Sequence, residues 1–293
     1  MSVKTNVDKI VSVSVMGQIA SPGFPGLPAE PYRLDSEGRA FLLPTWGGIV
    51  YNVSVGDSVY GWLGDCIHPG VSVSVKDDRG NRGLNIFSCV GNTATVMTGN
   101  AKGTRGIVTG KSGRFSEQVI IHFEKSAREQ MAIGDKIVIK SEGVGLALTD
   151  HPAIKIKSCS PELINRLGIT TTSDGKLEVP VVGIVPPHLL GAGAGLTSEG
   201  GSLHIQTTDK AELNQAGLDQ LRLGDIVALQ DYDSSWNHGY LRGAMGIGVI
   251  GQTDSPRAGY GPGVTLLMTS AESAITPRVD ASVNLKTLFD LQN

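Results

Sequence analysis

The sequence predicts a mainly β to α+β fold, and three observations carry that prediction. Glycine is abundant, 39 of 293 residues, close to double its usual share of about 7 per cent. Charged residues make up only 18% of the chain, fewer than the ~25 per cent of an average soluble domain. Apolar runs are short, alternate with period two and end in Gly, Pro, Asn or Asp, which is the pattern of strands joined by tight turns. A chain of this length forms one large domain or two modest ones. Two are expected: a β-rich part over 1–150 with a proline-rich arm and a small barrel, and an α+β part over 151–293 with short helices and a glycine-rich candidate site.

Taken in order, Val11, Val13 and Val15 alternate with Ser12 and Ser14, a half-buried strand rather than a signal-peptide core. No run approaches the ~20 apolar residues that span a bilayer, so a soluble, cytoplasmic protein with no membrane partner is expected. Pro22, Pro25, Pro28 and Pro31 exclude helix and central strand. They predict an extended arm whose Phe24 and Leu27 pack on a second copy, making the protein a homo-oligomer. Gly47-Gly48 then turns into an expected strand over 49–53. The form apolar-Gly-Asp-x-apolar occurs three times, around Asp57, Asp135 and Asp225. In each copy glycine supplies the turn, aspartate bonds the turn backbone and a strand begins.

From Ala94 to Phe123, strands alternate with glycine turns, and the block resembles the KOW motif of small SH3-like barrels. In ribosomal proteins such a loop contacts RNA. Here Lys102, Arg105, Lys111 and Arg114 form a basic patch without interleaved aromatics, so a solvated face is expected and nucleic acid is not. The formal net charge of −3 agrees with that. Helical signals are few. Ser160 caps Pro161–Leu167 with Gly168 as the stop, Asp209 starts a short helix before Leu223, and 284–291 ends the chain with Leu285 and Leu288 on one face. Cys66, Cys89 and Cys159 are odd in number and lack a C-x-x-C pair, which favours buried reduced thiols over a disulfide framework or zinc ribbon.

Candidate chemistry collects in four places. Asp65 and His68 stand three apart on a loop between strand-like runs, a spacing that suits one metal or equally a capped turn. His204 shares a strand face with Ser202 and Gln206. Asp231 and Asp233 share another face at a strand end, with His238 following, and suit a divalent metal, acid–base work or an exposed loop. Asp254, Ser255 and Arg257, followed by Tyr260 among Gly259, Gly261 and Gly263, make the sharpest candidate. Arg257 would clamp an anionic group, with Asp254 as ligand or base and Tyr260 as donor; a glycine-rich hairpin with a surface ion pair fits the same residues. The run from Gly191 to Gly195 has neither dinucleotide nor P-loop spacing, and no G-x-S-x-G or H-E-x-x-H occurs. Nor does the sequence set a cysteine beside a His with an orienting Asn or Asp.

Several of these segments together resemble the bacterial and archaeal family known as domain of unknown function 4438. They are Leu43-Pro44 with 47–53, Val55-Gly56-Asp57, Gly64-Asp65 with 69–72, 99–103, 106–111, 193–195, 206–209 and 224–270. The family has no assigned reaction. Its glycine-rich loops and strand-end acids are similar, distantly, to those of formamidase and acetamidase proteins, which implies a metal-assisted hydrolase of an amide-like substrate with a divalent ion such as zinc. On that reading Asp65, His68 and His204 are metal ligands, Asp254, Arg257 and Asp233 catalyse, and Asp231, Ser255, Tyr260 and Gln206 bind ligand. The chain departs from the family pattern at Ser112, His68, 202–204 and Tyr260, where ligand-type residues are exchanged and the glycines kept. A non-catalytic ligand-binding or assembly protein on the same scaffold is the alternative that those exchanges imply.

Overall fold

The computed structural model describes residues 3–23, 32–113, 117–193, 201–236 and 239–293. The arm positions from Phe24 to Pro31, together with Arg114, Gly195 and His238, lie outside the described residues. The first half carries β1 (Val13–Ile19), β2 (Arg33–Leu34), β3 (Ala40–Phe41), β4 (Val71–Ser74), β5 (Thr93–Val96), β6 (Arg105–Ser112), β7 (Gln118–His122) and β8 (Lys136–Ser141). Six of these close into an antiparallel barrel in the order β1-β4-β7-β6-β5-β8, while β2 and β3 pair as a small ribbon. Alternation decides what points inward. Val71, Val73, Ala94, Val96, Val119, Ile121, Ile137 and Ile139 fill the interior and are essentially inaccessible. Each of these valine and isoleucine side chains contributes about 1.5–3 kcal/mol through its removal from water.

The second half carries β9 (Lys155–Ile156), β10 (Thr170–Thr171), β11 (Leu177–Val181), β12 (Gly183–Val185), β13 (Leu203–His204), β14 (Ile226–Asp233), β15 (Gly239–Ile250), β16 (Gly263–Ser270) and β17 (Ile275–Val279). Strands β12-β14-β15-β16-β13 form one sheet, with β9 paired to β16, and β10-β11-β17 form another. The larger sheet is apolar on both faces. Ile226 and Ala228 of β14 enter one core, and Val227 and Leu229 enter the other. A strand covered on both sides reads as a continuous apolar run, as this one does.

The five α-helices among the described residues are short: α1 (Asp78–Phe87), α2 (Lys125–Arg128), α3 (Pro161–Arg166), α4 (Lys210–Gln215) and α5 (Leu285–Leu288). The caps read from sequence form as expected. Ser160, Asp209 and Asn284 accept backbone N–H groups at the starts of α3, α4 and α5. Helix α1 is absent from the sequence reading, because Gly80 and Gly83 weaken its intrinsic propensity. Tertiary contact offsets that weakness: Asp77 caps it and Leu84 is buried in the barrel core. The three Gly-Asp turns are one device repeated. Asp57, Asp135 and Asp225 accept from the N–H of Ser54, Ala132 and Arg222 respectively, with the preceding glycines at φ of 97°, 91° and 89°.

Two expectations are corrected here. Residues 49–53 do not form a strand; Ile49 makes a single bridge to Val71, and the carbonyls of Val50 and Val53 accept from the buried Arg128 guanidinium. Lys111 is not part of a solvated basic face. It is buried, and its Nζ donates to Ser158 Oγ at 2.8 Å.

Candidate functional site

The loop from Gly64 to Gly70 and the segment from Gln252 to Gly263 are laced together where the two halves meet. Asp254 N–H donates to Val59 O, Cys66 N–H to Asp254 O, and Thr253 N–H to Ile67 O. Ile67 N–H completes the lacing by donating to Thr253 Oγ1 at 2.9 Å. Cys66 sits at φ 54°, a left-handed conformation unusual for a non-glycine residue and found where a site is tightly constrained. Glycine is required at Gly261, because a Cβ there would run into the Ile205 carbonyl oxygen.

This lacing buries Asp65 and sets Arg257 against it. Ser255 Oγ donates to Asp65 Oδ1 at 2.7 Å and Arg257 Nε donates to the same oxygen at 3.3 Å. Oδ2 lies 3.2 Å from Nε as a charge contact but receives no aligned hydrogen. The Arg257 guanidinium is covered by Tyr260, whose ring centroid is 3.7 Å from Cζ, with Trp46 on its surroundings at 5.7 Å. Arg257 Nη2 reaches Cys66 Sγ at 3.8 Å. Among the described residues, Nη1 makes no hydrogen bond.

His204 completes the cluster. Its Nδ1 is 2.7 Å from Gly261 O and 4.0 Å from Cys66 Sγ, and its ring lies 5.0 Å from that of Tyr260. A carbonyl only accepts, so Nδ1 carries the proton and Nε2 is the acceptor; Nε2 makes no hydrogen bond to a described residue. Burial holds His204 down to about 4, with Arg257 adding and the Gly261 bond opposing. Burial also pushes the Cys66 thiol up to about 12, helped by Asp65. Cys66 and His204 are therefore neighbours without being an activated pair, since a protonated Nδ1 cannot take the thiol proton.

His68 lies beside this cluster in a closed relay. Ser202 Oγ donates to Gln252 Oε1, Gln252 Nε2 to His68 Nε2, and His68 Nδ1 to Ser72 Oγ, at 2.8, 2.9 and 2.7 Å. Both ring nitrogens are thereby occupied. Burial, with His204 adding, holds His68 down to about 3. Asp254 points elsewhere, accepting from Thr207 Oγ1 at 2.6 Å and from Ser255 N–H, with Lys210 Nζ at 3.8 Å. Burial raises its carboxyl above the ordinary value, against the opposing effect of those partners.

The structure thus brings together Asp65, His204, Ser255, Arg257 and Tyr260, with His68 and Asp254 at the margins. It does not bring the other predicted site residues to them. Gln206 turns its amide to the carbonyls of His188 and Leu190. Asp231 and Asp233 stand at the opposite end of β14 from the start of that strand, where Gly224 N–H bonds Ile250 O. At ~3.3 Å per residue, β14 places that end roughly 20 Å away. A bulge between Gln230 and Tyr232 interrupts the alternation expected there. Asp233 instead lines a cleft of ≈ 380 Å³ with Lys155, Ser235 and the exposed Trp236.

No three His, Cys, Asp or Glu side chains among the described residues converge as ligands of one metal ion. The residues present do not fit the divalent ion that the resemblance implies. Sequence reasoning missed Trp46, Cys66, Gln252, Thr207 and Lys210 as members of this region. Cys66 and Thr207 carry a signal by adjoining Asp65 and Gln206, and Gln252 by lying two residues before Asp254; Trp46 and Lys210 carry none.

Comparison with known proteins agrees with this architecture. No curated protein matches the chain. The solved structure described as "Crystal structure of TM1086" is similar at 41% identity and a TM-score of 0.91, covering 99% of both chains. No helix among the described residues is long and apolar enough to cross a membrane. The family described as domain of unknown function (DUF4438), N-terminal, matches residues 32–165, and its C-terminal counterpart matches 166–289. The chain therefore belongs to the DUF4438 family, with both of its parts present.

Proposed function

We propose that this protein binds a small polar molecule at the Asp65–His204–Arg257 cluster, beneath Tyr260, and does not hydrolyse it with a metal. The observation that carries this reading is Arg257: it is held by a buried carboxylate and covered by an aromatic ring, yet Nη1 makes no hydrogen bond to a described residue. A largely covered cation, its side chain 11% exposed, fixed in position with an unspent donor, is how a site recognises an oxygen acceptor. The metal-hydrolase alternative lacks support in the same geometry. His68 has both nitrogens engaged, Asp254 is committed to Thr207 and Ser255, and the neutral Cys66 thiol has no base beside it.

Thermal-shift screening of polar metabolite-sized compounds tests the proposal, alongside the metal content of protein purified without chelator. Compounds that raise the wild-type Tm are expected to lose that effect in Arg257→Met, and chelator is expected to change nothing. One transition-metal ion per chain, lost in His204→Ala together with amide hydrolysis, would overturn the binding reading and restore the hydrolase.

A further inference from the structure

The first strand of the barrel is paired unequally on its two sides. Towards β8 it keeps register over six residues, from Val13 opposite Ser141 to Gln18 opposite Lys136. Towards β4 it keeps only two, Gln18 opposite Ser74 and Ile19 opposite Val73. The bonds at its end show which groups face which neighbour. Ile19 N–H donates to Asp135 O on the β8 side, and Ala20 N–H to Ser72 O on the β4 side. Backbone groups alternate along an antiparallel strand, so the N–H and C=O of Ser14 and Met16 face the β4 side. The next pair of that ladder would join Met16 to Lys76. It does not form: Val75 N–H turns to Asn81 Oδ1 at 2.9 Å and the chain enters α1. Among the described residues, Met16 has no hydrogen-bond partner on this side.

A cleft of ≈ 340 Å³ opens at this point, lined by Met16, Gly17, Ser74, Val75, Lys76 and Lys136. Asp77 also lines it, with its carboxylate turned to Gly80 N–H at the α1 cap. Helix α1 leaves the edge uncovered. Leu84 lies against Gly17 and belongs to the barrel core, while Met16 is 51% and Val13 42% exposed. An exposed strand with apolar side chains and open backbone groups is a template for pairing with another chain.

The charges beside the cleft indicate what kind of chain. Lys76, Lys136 and, on α1, Arg79 and Arg82 are exposed, and none of the four makes an ion pair with a described residue. Against them stand Asp77 and Asp78, which leaves a positive surplus on a chain whose formal net charge is −3. Residues 10–19 contain no acid, so the same strand of a second copy would bring no countercharge. No aromatic side chain lines the cleft to stack a base.

We infer that this edge takes an extended acidic segment of another protein, which continues the antiparallel ladder past Gln18. Its backbone exchanges hydrogen bonds with Met16 and then Ser14. An aliphatic side chain enters the cleft beside Met16 and Val75, and its acidic residues face Lys76 and Lys136. Charge on an edge strand can also serve only to keep chains from pairing, and the two roles predict opposite behaviour in the same variant.

The test uses the full chain and fluorescently labelled pentapeptides, Glu-Val-Glu-Val-Glu and Lys-Val-Lys-Val-Lys. Two further versions of the acidic peptide carry N-methyl groups, one on the valines and the other on the glutamates. Affinities are read by fluorescence anisotropy at low ionic strength, where exposed charges are least screened, on wild type and on Lys76→Glu with Lys136→Glu. Both lysines are exposed, so the variant is expected to keep the wild-type Tm. The acidic peptide is expected to bind wild type at least about tenfold more tightly than the basic one, and the variant to lose that preference. One methylated version should bind at least about tenfold more weakly and the other as the parent does, because only one edge of the peptide pairs with β1. Equal binding of both methylated versions and the parent would reduce the contact to charge alone and overturn the inference. So would self-association of the charge-reversed variant with no peptide binding to wild type, which would make the lysines edge protectors, or binding of an RNA oligonucleotide in place of the acidic peptide.

Discussion

Acidic residues stand at one end of the six-stranded sheet and on the loops packed at the other, yet only at the second does an acid meet a cation from a distant segment. At the far end, Asp231 accepts from the N–H of Gly243, and Asp233 accepts from Ser235 N–H, Ser235 Oγ and Thr269 Oγ1. Most of these partners belong to the same hairpin. At the near end, Asp65 meets Ser255 and Arg257 from nearly two hundred residues away in sequence, and Asp65 Oδ2, Arg257 Nη1 and His204 Nε2 remain open. An acid at a strand end is thus ambiguous until its local backbone donors are known. Where the turn consumes the carboxylate, the residue holds the turn; where a distant segment supplies a cation, donors and acceptors are left without partners among the described residues.

The largest expected difference between the two ends is in stability. Asp65→Ala strands the Arg257 guanidinium, whose side chain is 11% exposed, and should cost about 3–5 kcal/mol in urea unfolding, as removal of one member of a buried pair does. Asp233→Ala should cost only about 1 kcal/mol. A double variant, Asp65→Leu with Arg257→Met, should recover most of the loss. Equal effects of Asp65→Ala and Asp233→Ala would abolish the distinction drawn here.

Acid sharpens the same contrast. His68 and His204 are held down to about 3 and about 4, below the ~6.5 of an unfolded histidine. Above that value neither state binds the proton, and their contribution to stability is fully present. As pH falls from about 6.5 towards 4, only the unfolded chain takes up protons, so each imidazole removes about 1.4 kcal/mol per pH unit. His204→Phe should flatten the stability–pH curve over that window by one proton's worth of slope relative to wild type. An unchanged slope would mean that His204 is charged or solvated in the fold. The relay around His68 predicts a smaller effect at neutral pH. Gln252→Ala leaves His68 Nε2 and Ser202 Oγ without their partners and should cost about 1–3 kcal/mol, with no change in the pH at which Arg257-dependent binding is seen.

Much of this architecture was legible in the sequence because the signals are local. Period-two alternation marks β1 (Val13–Ile19), Ser160 and Asp209 mark helix starts, and the three Gly-Asp turns state their own geometry. Five of the predicted site residues, Asp65, His204, Ser255, Arg257 and Tyr260, do come together. What was illegible depends on long-range pairing. No local pattern shows that Cys66 takes a left-handed backbone against Arg257 and His204, or that Gln252 saturates His68. The bulge that separates the roles of Asp231 and Asp233 is equally hidden, since it is a property of how β14 and β15 register against each other.

That bulge supplies the smallest and most discriminating test of the far end. Asp231 has φ 53° and its carboxylate holds Gly243 N–H at 2.8 Å. Asparagine tolerates the left-handed region and keeps an acceptor oxygen, so Asp231→Asn should change stability by less than about 0.5 kcal/mol. Alanine keeps the strain and loses the bond, so Asp231→Ala should cost about 1–2 kcal/mol. Asp231→Gly removes the strain and the bond together and should fall between the two. None of the three should alter the Tm increase that a ligand of the near end produces. If Asp231→Asn abolished that increase with its own stability intact, the far end would belong to the binding site, and the division of the sheet into a structural end and a binding end would have to be abandoned.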